Sequence, residues 1–137
     1  MSAAHRKALQ SPAPLAGLRL LVIEDEYFIG DDIAHALASL GAEIIGPVPD
    51  LADAEGVLKY GEAIDAALLD INVRGETVYP LARLLRSRGV PFVFTTGYDK
   101  TSVASEFQDV QLWEKPLNIP QLARYLAEVL RQRRRGG

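Results

Sequence analysis

Cysteine is absent from this chain of 137 residues. Disulfides, thiolate metal sites and cysteine nucleophiles are thereby excluded, and the composition is compatible with a reducing cytoplasm, where the protein is expected to reside. Histidine occurs only at His5 and His35, one in the terminal stretch and one in a helical pattern, neither placed near the acids, so a histidine-based metal centre is not expected. No apolar run of 18 residues occurs, and nothing reads as a membrane span. Met1 to Ala16 lacks the apolar core of a signal peptide; with Pro12 and Pro14 it reads as a flexible arm. Charge of one sign is also lacking, since the net is only −3. Its distribution is uneven: acids gather at Glu24-Asp25-Glu26 and Asp31-Asp32, arginines at 131 and 133–135. The arginine cluster is short and has no aromatic companions. It reads as a solvated helix end that complements the helix dipole, with 134–137 as a basic tail, rather than as a nucleic-acid site.

What is present is a set of short apolar runs, several of which stop on a polar residue. Ala66-Ala67-Leu68-Leu69 enters Asp70 without a polar break and is followed by Ile71-Asn72-Val73-Arg74-Gly75. Such a run reads as a strand buried on both faces of a parallel sheet. Leu18 to Ile23 is a second one, ending in Glu24-Asp25. Ala42 to Val48, Pro91 to Thr96 and Val110 to Trp113 complete five strands, the last ended by Glu114-Lys115-Pro116. Between them, helical spacing marks roughly 26–40, 51–60 with Asp50 as its cap, 77–88, a weak helix at 100–107, and 119–133 capped by Asn118. Strands alternating with helices through short connections demand a doubly wound α/β fold, one domain over about 17–133.

In such a sheet the carboxyl ends of the strands lie side by side and hold the ligand chemistry. They carry Glu24 and Asp25, Asp70, Thr96 and Lys115. Three crowded carboxylates invite a hard divalent cation, and Mg²⁺ suits a site with few protein ligands. A hydroxyl and an ammonium opposite suit the equatorial oxygens of a phosphoryl group, so the set describes an aspartyl-phosphate site. Thr95 and Thr96 cannot both face it, because adjacent strand residues point to opposite faces. Alternation alone does not say which of the two it is.

The chain resembles the CheY-like receiver domains of two-component response regulators. The resemblance rests on V-I-E-D-E at 22–26, L-L-D-I-N-V at 68–73, F-T-T-G at 94–97 and W-E-K-P-L at 113–117. It implies a (βα)5 flavodoxin-like three-layer sandwich with strand order 2-1-3-4-5. It implies that Asp70 accepts a phosphoryl group from a histidine kinase or histidine phosphotransfer protein. Mg²⁺ would be ligated by Asp25, Asp70 and the backbone carbonyl of Asn72, with Glu24 acting directly or through water, and Thr96 and Lys115 would bind phosphoryl oxygens. Between the two threonines the resemblance favours Thr96, which directly precedes Gly97. The implied protein is a signalling phosphoacceptor rather than an enzyme, a monomer or weak dimer without a DNA-binding domain. Its downstream protein target would meet the family's usual contact face, here 99–133, or the domain would serve as a phosphate relay or sink.

Two departures stand out. The position three before Lys115 is Leu112, where typical receivers place a switch aromatic. The Phe94-Thr95-Thr96-Gly97-Tyr98 string is similar to a subgroup of stand-alone receivers with an F-A-T-G-like strand that also lack this aromatic. There, Tyr98 or movement of the 98–107 segment is expected to replace it. The missing aromatic also leaves open a degenerate receiver that binds partners without phosphate. A haloacid-dehalogenase-type enzyme is a weaker match, because its two acids sit two apart on the first strand and only Glu24 and Glu26 have that spacing here.

Overall fold

The computed structural model describes residues 13–61, 63–97 and 103–136. Its sheet is built from β1 (Arg19–Ile23), β2 (Glu43–Val48), β3 (Ala66–Asp70), β4 (Phe92–Thr96) and β5 (Leu112–Glu114), all parallel, in the order β2-β1-β3-β4-β5. With strands numbered in chain order, this is the 2-1-3-4-5 order that the resemblance implies. The helices are α1 (Tyr27–Ala38), α2 (Leu51–Tyr60), α3 (Tyr79–Ser87) and α4 (Ile119–Gly136).

Alternation along the strands divides the core into two layers. Leu21, Ile23, Leu69 and Phe94 face Ala54 and Leu58 of α2 and Leu81 and Leu85 of α3. Their neighbours Leu20, Val22, Leu68 and Val93 face Ile33 and Leu37 of α1 and Leu122, Leu126 and Leu130 of α4. Every residue of β3 is buried, which is why its run needs no polar break.

Both expected helix caps form. Asp50 accepts from the Asp53 amide at 2.8 Å and Asn118 from the Gln121 amide at 3.1 Å. Replacing Asp50 with alanine orphans an amide at the start of α2. A loss of about 1 kcal/mol is expected in urea unfolding, with the denaturant slope unchanged.

The structure differs from the sequence reading at four places. The packed domain begins before residue 17: Leu15 is fully buried in the α1/α4 layer and its amide donates to Leu40 O at 2.9 Å. The third helix starts at Tyr79 rather than near 77, because Asn72–Val73 and Glu76–Thr77 pair as a small antiparallel hairpin around Arg74 and Gly75. Of the weak 100–107 helix, the described part is a 3₁₀ turn at Ser105–Phe107. The Phe107 amide donates to Ala104 O at 2.9 Å, and the Phe107 ring anchors the turn: the side chain is fully buried, stacked on Tyr79 at 5.3 Å and edge-on to Phe94 at 5.5 Å. Finally, α4 continues to Gly136, through most of the stretch expected as a tail.

Candidate functional site

The strand register decides which side chains meet. Ile23 is opposite Leu69 across β1 and β3, Asp70 opposite Thr95, and Thr96 opposite Glu114. Pairing runs one step past the strand ends: the Glu24 amide donates to Val48 O at 3.1 Å and the Lys115 amide to Thr96 O at 2.8 Å. Glu24, Asp70, Thr96 and Lys115 are thereby placed along one edge by backbone bonding alone.

Lys115 is the hub. Its Nζ donates to Glu24 Oε1 at 2.6 Å and to Asp70 Oδ2 at 3.1 Å, with all three side chains at most 9% exposed. Asp25 is half-buried beside them, and Glu24, Asp25 and Asp70 each offer an oxygen within 4.8 Å of the others. Two of the three carboxylates thus share one ammonium, and the third has none among the described residues. Such a donor set fits a small oxygen-seeking dication, which would offset the excess negative charge.

These groups open into a cleft of about 840 Å³ lined by Asp25, Asp70, Asn72, Thr96 and Lys115, with Ile29 and Leu117 among its apolar residues. Thr96 borders the cleft and Thr95 does not, although both are buried. The structure therefore brings together Glu24, Asp25, Asp70, Thr96 and Lys115, with Asn72 at the rim. Tyr98 lies outside the described residues. Leu112 is 39% exposed and is not among the residues bordering the cleft. The described part of the 98–107 segment is tied to α3, where Arg83 pairs with Glu106 at 2.6 Å, Arg86 donates to Glu106 O at 2.9 Å and the Tyr79 hydroxyl accepts from the Ala104 amide at 3.0 Å.

Two contributors escape a reading of motifs. Gly30 sits inside α1, where glycine costs about 1 kcal/mol relative to alanine. Its reason is space: a Cβ there would lie 2.9 Å from Pro47 Cβ and 3.3 Å from Glu24 Cγ. The second is the Arg74 amide, which donates to Asp25 Oδ2 at 2.9 Å.

Burial, helped by the hydrogen bond and charge of Asp70, pushes the Glu24 carboxyl up to about 7, against the opposing pull of Lys115. Burial works against the Lys115 ammonium as well, but Glu24 and Asp70 outweigh it and its pKa is raised. The Glu24 shift has a sign that can be tested. Between the ordinary value of 4.5 and about 7 the folded state holds a proton that the unfolded state has released. Stability from this group is therefore full below 4.5 and is lost as pH rises through 7. The span corresponds to as much as roughly 3 kcal/mol. Urea unfolding in a chelator from pH 5 to 8 should show this decline in the wild type, and Glu24→Gln should remove it; identical slopes would contradict the assignment.

No family model matches the chain. Among solved structures it is similar to SdrG from Sphingomonas melonis Fr1, with 37% identity, coverage of 82% of this chain and 96% of that one, and a TM-score of 0.73. It is also similar to the BeF3-activated conformation of SdrG from Pseudomonas melonis Fr1, at 36% identity, 84% and 98% coverage and a TM-score of 0.67. A response regulator receiver protein from Sinorhizobium medicae WSM419 matches at 25% identity, 83% and 94% coverage and a TM-score of 0.67. Among curated proteins, the uncharacterized transcriptional regulatory protein YbdJ of Bacillus subtilis (strain 168) is 26% identical over 102 residues. That match covers 73% of this chain and only 43% of the relative's length.

Proposed function

The chain belongs to the response regulator receiver domains of two-component signalling, and from that premise we propose that Asp70 is its phosphoacceptor. The observation that carries this reading is the Lys115 ammonium bridging Glu24 and Asp70, at 2.6 and 3.1 Å, beside the Asp25 carboxylate. An Asp70 oxygen attacks the phosphorus of a phosphohistidine on a sensor kinase or phosphotransfer protein. The new bond is P–O, the bond broken is P–N, and the imidazole leaves with its electron pair. The Lys115 ammonium and the Thr96 hydroxyl take up phosphoryl oxygens, where the equatorial charge is concentrated. Asp25, Asp70 and the Asn72 carbonyl would hold Mg²⁺, with Glu24 direct or through water. The ion would supply charge neutralisation for the incoming phosphoryl group.

The phosphorylated domain then meets its downstream target through the 99–133 face, or passes the phosphoryl group on. Both act through a shift between two conformations that partners distinguish. The match to less than half of a transcriptional regulatory protein fits a receiver module, but says nothing of an output domain here. The second reading, a receiver that binds partners without phosphate, draws on Leu112, which offers no aromatic ring to follow Thr96.

Acetyl phosphate and Mg²⁺, followed by intact mass, separate the two. One added phosphoryl group on the wild-type chain supports the first reading. No adduct, together with no binding of Mg²⁺ and beryllofluoride, leaves the second.

A further inference from the structure

The three acids of the site are each oriented by one backbone amide, but not in the same way. The Glu26 amide donates to Glu24 Oε2 at 3.3 Å and the Asn72 amide to Asp70 Oδ1 at 3.2 Å. Both are local bonds, made by the residue two ahead, and belong to the acid's own turn. Asp25 is held from far away: its Oδ2 accepts from the amide of Arg74, 49 residues on. Lys115 occupies Glu24 Oε1 and Asp70 Oδ2. Five of the six carboxylate oxygens are therefore engaged, and among the described residues Asp25 Oδ1 has no hydrogen-bond partner.

The donor of that long-range bond sits in an unusual conformation. Arg74 has φ 51 and is the one described non-glycine residue with positive φ; Gly75 follows at φ 82. Positive φ costs a side-chain-bearing residue about 1 kcal/mol or more, and such strain persists only where the surroundings enforce it. Here they do. The hairpin is pinned at its base by the Val78 amide on Ile71 O at 2.8 Å, and Val73 and Val78 are buried in the α2/α3 layer.

We propose that the 72–77 hairpin is a positioning element for the cation: through the Arg74 amide it fixes the Asp25 carboxylate so that Oδ1 stands as the open ligand of the site. This rests on the reading that the acids hold Mg²⁺. Without the amide, the Asp25 carboxylate would be free to rotate, and binding would have to order it. Groups that orient a ligating carboxylate are worth about 10- to 100-fold in metal affinity. The backbone supplies the bond, so the guanidinium is dispensable and the N–H is not.

The test titrates Mg²⁺ alone into the full chain by calorimetry, using wild type, Arg74→Gly and Arg74→Pro. Glycine keeps the amide and relieves the positive φ; proline removes the amide and fixes φ near −65°. Wild-type and Arg74→Gly chains should bind equally, and Arg74→Pro about 10- to 100-fold more weakly. A second measurement needs no metal and no hairpin variant: exchange of the Arg74 amide should be slow in the wild type and fast in Asp25→Ala. Arg74→Pro binding Mg²⁺ as the wild type does, or equal protection of that amide in Asp25→Ala, overturns the proposal and leaves the phosphoacceptor reading standing. Loss in Arg74→Gly as great as in Arg74→Pro overturns the backbone route and traces the effect to the guanidinium. A wild type that takes up no Mg²⁺ overturns both this proposal and the cation reading beneath it.

Discussion

Asp70→Ala should gain no phosphoryl group from acetyl phosphate under conditions where the wild-type chain gains one, read by intact mass. The loss is total because the substitution removes the attacking oxygen itself, and no neighbour can replace it in place. Glu24 is buried and bonded to Lys115 at 2.6 Å, and Asp25 is tied to the Arg74 amide. A phosphoryl adduct of undiminished yield on Asp70→Ala would remove Asp70 from the chemistry. The same variant should be well folded. Asp70 is one of the groups that raises the Glu24 pKa, so its removal lets Glu24 ionise at lower pH beside Lys115. The decline of stability between pH 5 and 8 should become shallower in Asp70→Ala, a consequence that a simple loss of structure would not produce.

Lys115→Met should combine the second-largest loss of reaction with a stability defect that depends on pH. The rate of phosphoryl uptake should fall by about 10²-fold or more, the usual consequence of deleting a preorganised charge at the reacting group. Removing one partner from a buried ion pair costs roughly 3–5 kcal/mol when the remaining charge cannot escape. Glu24 has an escape, because it can hold a proton. Its pKa, already about 7, rises further once the ammonium is gone. The defect should therefore be small at pH 5 and approach the full cost at pH 8 and above, measured by urea unfolding. Equal destabilisation at both pH values would mean that the Lys115 stem, not its charge, is what matters.

Glu24 and Asp70 were legible because each terminates an apolar run, whereas Thr96 and Lys115 were legible from their places at strand ends and from the resemblance. A strand buried on both faces must be continuously apolar, so the first polar residue marks where the strand leaves the sheet, as at Ile23-Glu24 and Leu69-Asp70. Alternation with helices gave a parallel sheet covered on both faces, and the resemblance to receiver domains supplied its strand order. Leu15 escaped notice because one leucine among alanines and prolines has no period. The hairpin escaped for a similar reason: strands of two residues are too short to show alternation, and Val73 and Val78 could as well begin a helix. Gly30 could not be read at all, since its purpose is a distance to Pro47 that exists only after α1 has docked on β2. The Arg74 amide belongs to the same class, because backbone donors leave no trace in side-chain identity.

The bond from Lys115 to Glu24 joins positions 91 apart in the chain, and the bond to Asp70 spans 45. No contiguous fragment shorter than that span contains the hub and both of its acids. Bringing such distant segments together carries a loop-closure entropy that must be met before the contact gives anything back. A chain emerging from the ribosome presents β1 long before Lys115, so the proposed phosphoacceptor site cannot assemble until the segment that follows β5 has been made. If Asp70 is the phosphoacceptor proposed above, the domain authenticates its own folding: a truncated or half-assembled copy does not have the hub with which to take the message.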